Sequence, residues 1–122
     1  MPRTVLDEGR LHPAIRDKVV NLHADIVHNV QSASVSNPVL VVGMAQNPFC
    51  RKARKRLEAA GVAHHYLEYG SSFSQWRDRT ALKMWTGWPT FPMVFVKGSL
   101  VGGADDLGKL IDSGELNRLL GE

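Results

Sequence analysis

Apolar residues follow two different periods along this chain, and each change of period marks an element. From about Pro13 to Gln31, Ile15, Val19, Leu22, Ile26 and Val30 recur every three or four positions, which predicts an amphipathic helix with one buried stripe. Ser32-Ala33-Ser34-Val35-Ser36-Asn37-Pro38 interrupts that pattern. Val39-Leu40-Val41-Val42 then forms a short apolar run rich in β-branched residues, which predicts a strand buried on both faces. After a loop over residues 43–46, Asn47-Pro48 predicts a helix start, because Asn accepts N–H bonds as an N-cap and Pro is preset for the first helical position. This helix is expected to bury Phe49, Ala53, Leu57 and Ala60 and to stop at Gly61, a residue suited to a left-handed C-cap.

His64-His65-Tyr66-Leu67-Glu68 reads as a second strand, and Gly70-Ser71-Ser72 opens a third helical stretch through Trp76, Thr80 and Met84. Gly87-Trp88-Pro89 ends it, since proline cannot continue a helix and restricts the residue before it. Met93 to Lys97 predicts a strand, Lys97-Gly98-Ser99 a tight turn, and Ser99-Leu100-Val101 an antiparallel return. Asp105 or Asp106 is the expected cap of a last helical segment carrying Leu107, Leu110 and Ile111, with Leu116, Leu119 and Leu120 extending its apolar face past Ser113-Gly114. The order helix, β, α, β, α, β, β, α implies an α/β domain with a small mixed sheet covered on both faces.

Composition adds limits to this picture. A chain of 122 residues, 43% hydrophobic and 22% charged, is one ordinary globular domain. Residues 1–10 are expected to be disordered, 11–37 to supply the first helix and a linker, and 38–122 to form the domain. No apolar run approaches the roughly 18 residues of a membrane span, and the start of the chain lacks a signal-like apolar core, so a cytoplasmic setting without a membrane partner is expected.

Charge and chemistry converge on one residue. Cys50 is the only cysteine, so redox chemistry would need a thiol from a small molecule or a second protein. It falls at the third position of the predicted helix, followed by Arg51, Lys52, Arg54, Lys55 and Arg56. A helix N-terminus and cationic neighbours both lower a thiol pKa, which predicts an activated thiolate; the other reading is a small buried hydrophobe. The net charge of +3 owes much to residues 51–56. Without aromatic residues interleaved for base stacking, that run reads as a solvated helix face rather than a nucleic-acid site. No metal site is expected: His64 and His65 would face opposite sides of a strand, and His23 and His28 do not share a helix face.

Asn47-Pro48-Phe49-Cys50 stands directly after the first core strand and opens the next helix, and it resembles the Cys-Pro-Tyr-Cys or Cys-Gly-Phe-Ser active-site turn of the glutaredoxins. Leu82-Lys83-Met84-Trp85-Thr86-Gly87-Trp88-Pro89-Thr90-Phe91-Pro92 resembles the Trp-Pro segment and cis-proline loop of the monothiol glutaredoxin class. Gly98-Ser99-Leu100-Val101-Gly102-Gly103-Ala104-Asp105-Asp106-Leu107 is similar to that family's hairpin exit and last helix cap, and the resemblance runs from about Pro38 to Leu120. It implies a thioredoxin-like fold, with a four-stranded mixed sheet flanked by helices and an N-terminal helix added. It also implies glutathione-dependent thiol–disulfide oxidoreductase activity on glutathione mixed disulfides, within electron transfer and cell redox homeostasis. Glutathione would be the co-substrate, and glutathionylated proteins the partners. The implied groove lies between the Asn47-Pro48-Phe49 turn, the proline loop and the last cap. A cis Pro92 would let Phe91 pair with the cysteinyl backbone of glutathione, and the amides of Ala104 and Asp105 suit its γ-glutamyl carboxylate. The Asp105 carboxylate would take the ammonium group, while Arg79 and Lys83, with Thr90 beside them, fall where family members hold the glycine carboxylate.

The departures from the family pattern bear on chemistry. In ungapped register Asn47 replaces the nucleophilic cysteine, and Cys50 stands where dithiol members have the resolving cysteine and monothiol members a serine. Met44 replaces a lysine that helps bind glutathione and stabilise the thiolate. These losses count against [2Fe–2S] carriage, in which the missing cysteine ligates the cluster together with glutathione. Three readings stay open: an oxidoreductase working through the single Cys50, a redox-inactive module binding glutathione or a partner protein, and, behind both, a polyanion binder using residues 51–56.

Overall fold

A computed structural model describes residues 6, 8–20, 24–70 and 75–121. In chain order the elements are α1 (Pro13–Val20), α2 (Ala24–Ser36), β1 (Val39–Gly43), α3 (Pro48–Ala59), β2 (His65–Glu68), α4 (Trp76–Thr86), β3 (Met93–Val96), β4 (Ser99–Gly102), α5 (Ala104–Asp112) and α6 (Glu115–Leu119). The four strands form one sheet in the order β2-β1-β3-β4. β1 runs parallel to β2 and antiparallel to β3, which pairs antiparallel with β4.

The alternation of side chains along β1 and β3 builds a core on each face of the sheet. Val39, Val41, Val94 and Val96 face one way and pack against Ala53 and Leu57 of α3, Ala104 and Leu107 of α5, and Leu116 of α6. Leu40, Val42, Met93 and Phe95 face the other way and meet Val30 of α2, Leu82 of α4, Phe91 and Cys50. Every residue of β1 and β3 is buried, as the continuous apolar runs imply.

Several boundaries depart from the sequence expectation. The predicted N-terminal helix is helical over Pro13–Val20 and Ala24–Ser36, with residues 21–23 outside the described ones, and it continues through the serine-rich stretch to Ser36. Ser34 stays helical by turning its hydroxyl back onto the Gln31 carbonyl at 2.7 Å, and Asn37 closes the end by donating its side-chain amide to the Ala33 carbonyl at 2.9 Å. Ile26 and Val30 are buried, but Ile15 is 44% exposed and lies off the expected stripe. Leu22 lies outside the described residues, as does the side chain of Val19. Of the first ten residues, expected to be disordered, Glu8–Arg10 form one 3₁₀ turn, and residues 1–5 and 7 lie outside the described ones. Ser71 and Ser72 also lie outside, and α4 begins at Trp76.

The inward face of α3 is Cys50, Ala53 and Leu57, whereas Phe49 and Ala60 point to solvent. Ala53 and Leu57 face inward as expected, but in the first turn Cys50 takes the place expected of Phe49, because the Asn47 cap leaves the third helical position inward. Gly61 closes the helix at φ 71°, a left-handed value that a Cβ would oppose, and Val62 returns its N–H to the Leu57 carbonyl at 2.9 Å. At α5 neither aspartate is the N-cap: Gly103 takes that place, and Asp106 accepts the Gly103 N–H at 3.0 Å.

Candidate functional site

The turn from β1 into α3 is held by one side chain. The Asn47 carbonyl oxygen accepts the N–H groups of Phe49 at 2.8 Å and Cys50 at 3.1 Å, satisfying two donors that a helix start leaves without partners. This cap orients the first turn of α3 so that Phe49 projects outward, 56% exposed, and Cys50 inward, 1% exposed. Cys50 passes over the end of β1 and joins the core on the opposite face of the sheet from α3. Gly43 makes that crossing possible: a Cβ there would lie 2.8 Å from the thiol sulfur and 3.0 Å from the Tyr66 ring.

The expectation of an activated thiolate is corrected by this geometry. Burial pushes the Cys50 thiol above its ordinary pKa, and the nearby Glu68 carboxylate pushes the same way against a backbone hydrogen bond with Met44. The cations that follow Cys50 in sequence point elsewhere. Arg51, Lys52 and Lys55 are exposed on the outer face of α3, and Arg54 stacks over the Tyr66 ring with its guanidinium carbon 4.1 Å from the centroid. Tyr66 in turn donates its hydroxyl to Glu68 at 3.0 Å, and its own pKa is raised, chiefly by burial. Neighbours in sequence on a helix face different directions, and those facing the sulfur are apolar side chains and an acid.

A groove of about 280 Å³ opens beside the start of α3. Phe49, Trp88, Thr90, Phe91 and Pro92 form one side, and Gly103, Ala104, Asp105 and Asp106 at the start of α5 form the other. The Phe91–Pro92 peptide is cis, as the resemblance implied. Thr90, Phe91, Pro92, Ala104 and Asp105 are thus brought together with Phe49 of the α3 turn. Lys83 stands nearby, with its ammonium 5.8 Å from the Phe91 ring centroid. Arg79 is not among the groove's lining residues: it is buried, and its guanidinium donates to the Tyr69 carbonyl at 2.9 Å, which ties α4 to the chain after β2.

One contact was not legible in the sequence. Lys52 approaches Asp105 at 3.8 Å, so the carboxylate expected to meet a ligand's ammonium group already has a cation beside it. Asp106 serves as an internal cap, which leaves the exposed Asp105 as the outward acid at the groove. The side-chain donors do not fit a [2Fe–2S] cluster, because Asn47 cannot supply a thiolate and the one thiol is packed in the core.

The family model for glutaredoxin matches residues 39–101, from the start of β1 into β4. A glutaredoxin-like protein of Dictyostelium discoideum is 47% identical over 102 residues, spanning 84% of this chain and 83% of that protein. The crystal structure of oxidized glutaredoxin 2 from Chlamydomonas reinhardtii superposes with a TM-score of 0.69 at 30% identity, covering 80% of this chain and 92% of its own. A buckwheat glutaredoxin crystallised as a complex with glutathione gives a TM-score of 0.68 at 25% identity, covering 79% and 87%. The mixed four-stranded sheet flanked by helices is thus the thioredoxin-like fold in its glutaredoxin form. Sequence and fold agree over most of the chain that it belongs to the glutaredoxin family, and a thiol–disulfide function of the glutaredoxin kind goes with that membership.

Proposed function

We propose that this chain is a glutathione-dependent thiol–disulfide protein that holds the glutathionyl half of a mixed disulfide in its groove and uses Cys50 as its single sulfur nucleophile. The observation that carries the reading is the meeting, around one groove, of an apolar wall, an outward acid at a helix start and the first turn of α3. Trp88 and the exposed Phe49 ring supply apolar contact area for an extended peptide. The first N–H groups of α5 have no intrahelical acceptor, which suits the γ-glutamyl carboxylate, with Asp105 for the adjacent ammonium. Lys83, beyond Phe91, is the cation for the glycine carboxylate. The buckwheat relative solved with glutathione supports the same ligand.

In the reaction, the Cys50 thiolate attacks the glutathionyl sulfur and forms a mixed disulfide with glutathione, releasing the substrate protein's thiolate, which takes up a proton. A second glutathione thiolate then attacks that disulfide, yielding glutathione disulfide and restoring Cys50. Attack requires the Asn47-capped turn to move, because the sulfur is buried, and it requires a proton to leave a thiol whose pKa is raised. Turnover is therefore slow at neutral pH and increases toward alkaline pH. The same burial favours a second reading, in which the chain binds glutathione without reacting.

Calorimetry with reduced glutathione, a deglutathionylation assay from pH ~7 to ~9.5, and mass spectrometry for a glutathione adduct on Cys50 separate the two readings. The first reading expects binding, an adduct and a rate that climbs across that range, all but the binding lost in Cys50→Ser. Binding that survives in Cys50→Ser, with no adduct in the parent at any pH, selects the second. No binding at all rejects both.

A further inference from the structure

We propose that the outer face of α3 is a docking surface for an acidic stretch of the substrate protein, placed next to its glutathionylated cysteine. The inference rests on the reading above and deepens it from a reaction to a substrate class. With Cys50, Ala53 and Leu57 turned inward, the helical period sends Arg51, Lys52 and Lys55 outward. They line an open hollow of about 360 Å³ whose rim contains no acidic side chain. Arg56 also borders it, but its guanidinium is committed to the Gly108 carbonyl and the Asp112 carboxylate, each at 2.9 Å. Arg51 and Lys55 are a like-charged i, i+4 pair, an arrangement that weakens a helix unless a partner's charge offsets it, whereas Lys52 and Arg56 have Asp105 and Asp112 beside them.

The hollow and the groove adjoin at the first turn of α3. Pro48 lines the first and Phe49 the second, and Lys52 of the hollow pairs with Asp105 of the groove. An extended chain leaving the groove past the exposed Phe49 ring therefore meets Arg51 and Lys55, with Lys52 beside Asp105 next to them. A peptide is favoured over a nucleic acid because the cations lie within about 6 Å along the helix axis at ~1.5 Å per residue, room for few phosphates, and no aromatic side chain lines the hollow.

The test measures binding of the full chain to short synthetic peptides carrying one glutathionylated cysteine, flanked on one side by aspartates, by lysines or by neutral residues, using fluorescence anisotropy at low and physiological salt. The aspartate peptide is expected to bind about fivefold tighter than the neutral one, as a few rim charge pairs would give, with the advantage shrinking as salt is added. The R51E/K55E double variant, checked for an unchanged melting curve, should lose that preference while keeping its affinity for free glutathione. Equal affinity for the three peptides, or a preference that persists in the double variant, overturns the proposal. So does a short single-stranded oligonucleotide that binds the same face more tightly than the aspartate peptide. If free glutathione and the neutral peptide fail to bind while an unmodified aspartate peptide binds through Arg51 and Lys55, the acidic surface stands and the glutathione reading falls.

Discussion

Gly43 decides where the only thiol of this protein can go. A methyl group at that position would come within 2.8 Å of the Cys50 sulfur and 3.0 Å of the Tyr66 ring, closer than packed atoms tolerate. Gly43→Ala is therefore expected to destabilise the fold by about 1–3 kcal/mol, the usual cost of overpacking a close-packed site. Urea denaturation of Gly43→Ala, Cys50→Ala and the double variant measures how much of that cost belongs to the sulfur. The double variant should be more stable than the sum of the two changes predicts, by about 0.5 kcal/mol or more, since removing the sulfur relieves one of the two clashes. Strict additivity would mean that the sulfur does not lie over Gly43. This dependence was invisible in the sequence, where Gly43 reads as the first residue of a loop and Tyr66 as one strand position among five.

At the scale of an element, α3 carries the chemistry and the charge on opposite faces, and Asn47 sets which residue faces which way. Asn47→Ala removes the acceptor for two N–H groups at the helix start and should cost about 1 kcal/mol of stability. Asn47→Asp should retain the cap, so urea midpoints near the parent for Asp and well below it for Ala are expected. The start of this helix was legible in the sequence because Asn-Pro is a local signal, acting through one side chain on the next three residues. Its inward face was less legible: apolar spacing alone put Phe49 inside, whereas the register imposed by the end of β1 puts Cys50 there and leaves Phe49 on the groove. The strands were read well, since a continuous apolar run buried on both faces needs no knowledge of its partners. Most of the groove could be anticipated from the proline loop and the last helix start, which bring Thr90, Phe91, Pro92, Ala104 and Asp105 together. Arg79 could not, because its partner is a carbonyl ten residues away in sequence, at Tyr69. The pairing of Lys52 with Asp105 is longer-range still and depends on how α3 packs on α5.

Across the whole molecule, the end of β1 gathers two weak acids that folding keeps protonated. Cys50 and Tyr66 both have raised pKa values, in each case chiefly through burial and with Glu68 adding to the shift. In the unfolded chain a thiol begins to ionise near pH ~8.5 and a phenol near pH ~10, while the folded protein holds both protons to higher pH. Between those limits the unfolded state binds fewer protons than the folded one, so stability falls as pH rises. The contribution of Cys50 is fully present below the ordinary thiol pKa and is lost progressively above it; that of Tyr66 follows the same sign at higher pH. The parent protein should therefore lose stability in urea melts between pH ~7 and ~9.5, and Cys50→Ala should lose distinctly less over the same interval, although it is less stable at pH ~7 through its cavity. Tyr66→Phe, whatever constant offset the lost hydrogen bond to Glu68 brings, should keep the parent's slope with pH up to pH ~9.5 and diverge from it only above. If Cys50→Ala showed the same slope with pH as the parent, the thiol would be ionising in the folded state as easily as in the unfolded one. The sulfur would then be open to solvent rather than held in the core, and the slow, alkaline-dependent chemistry assigned to it would give way to an ordinary exposed nucleophile.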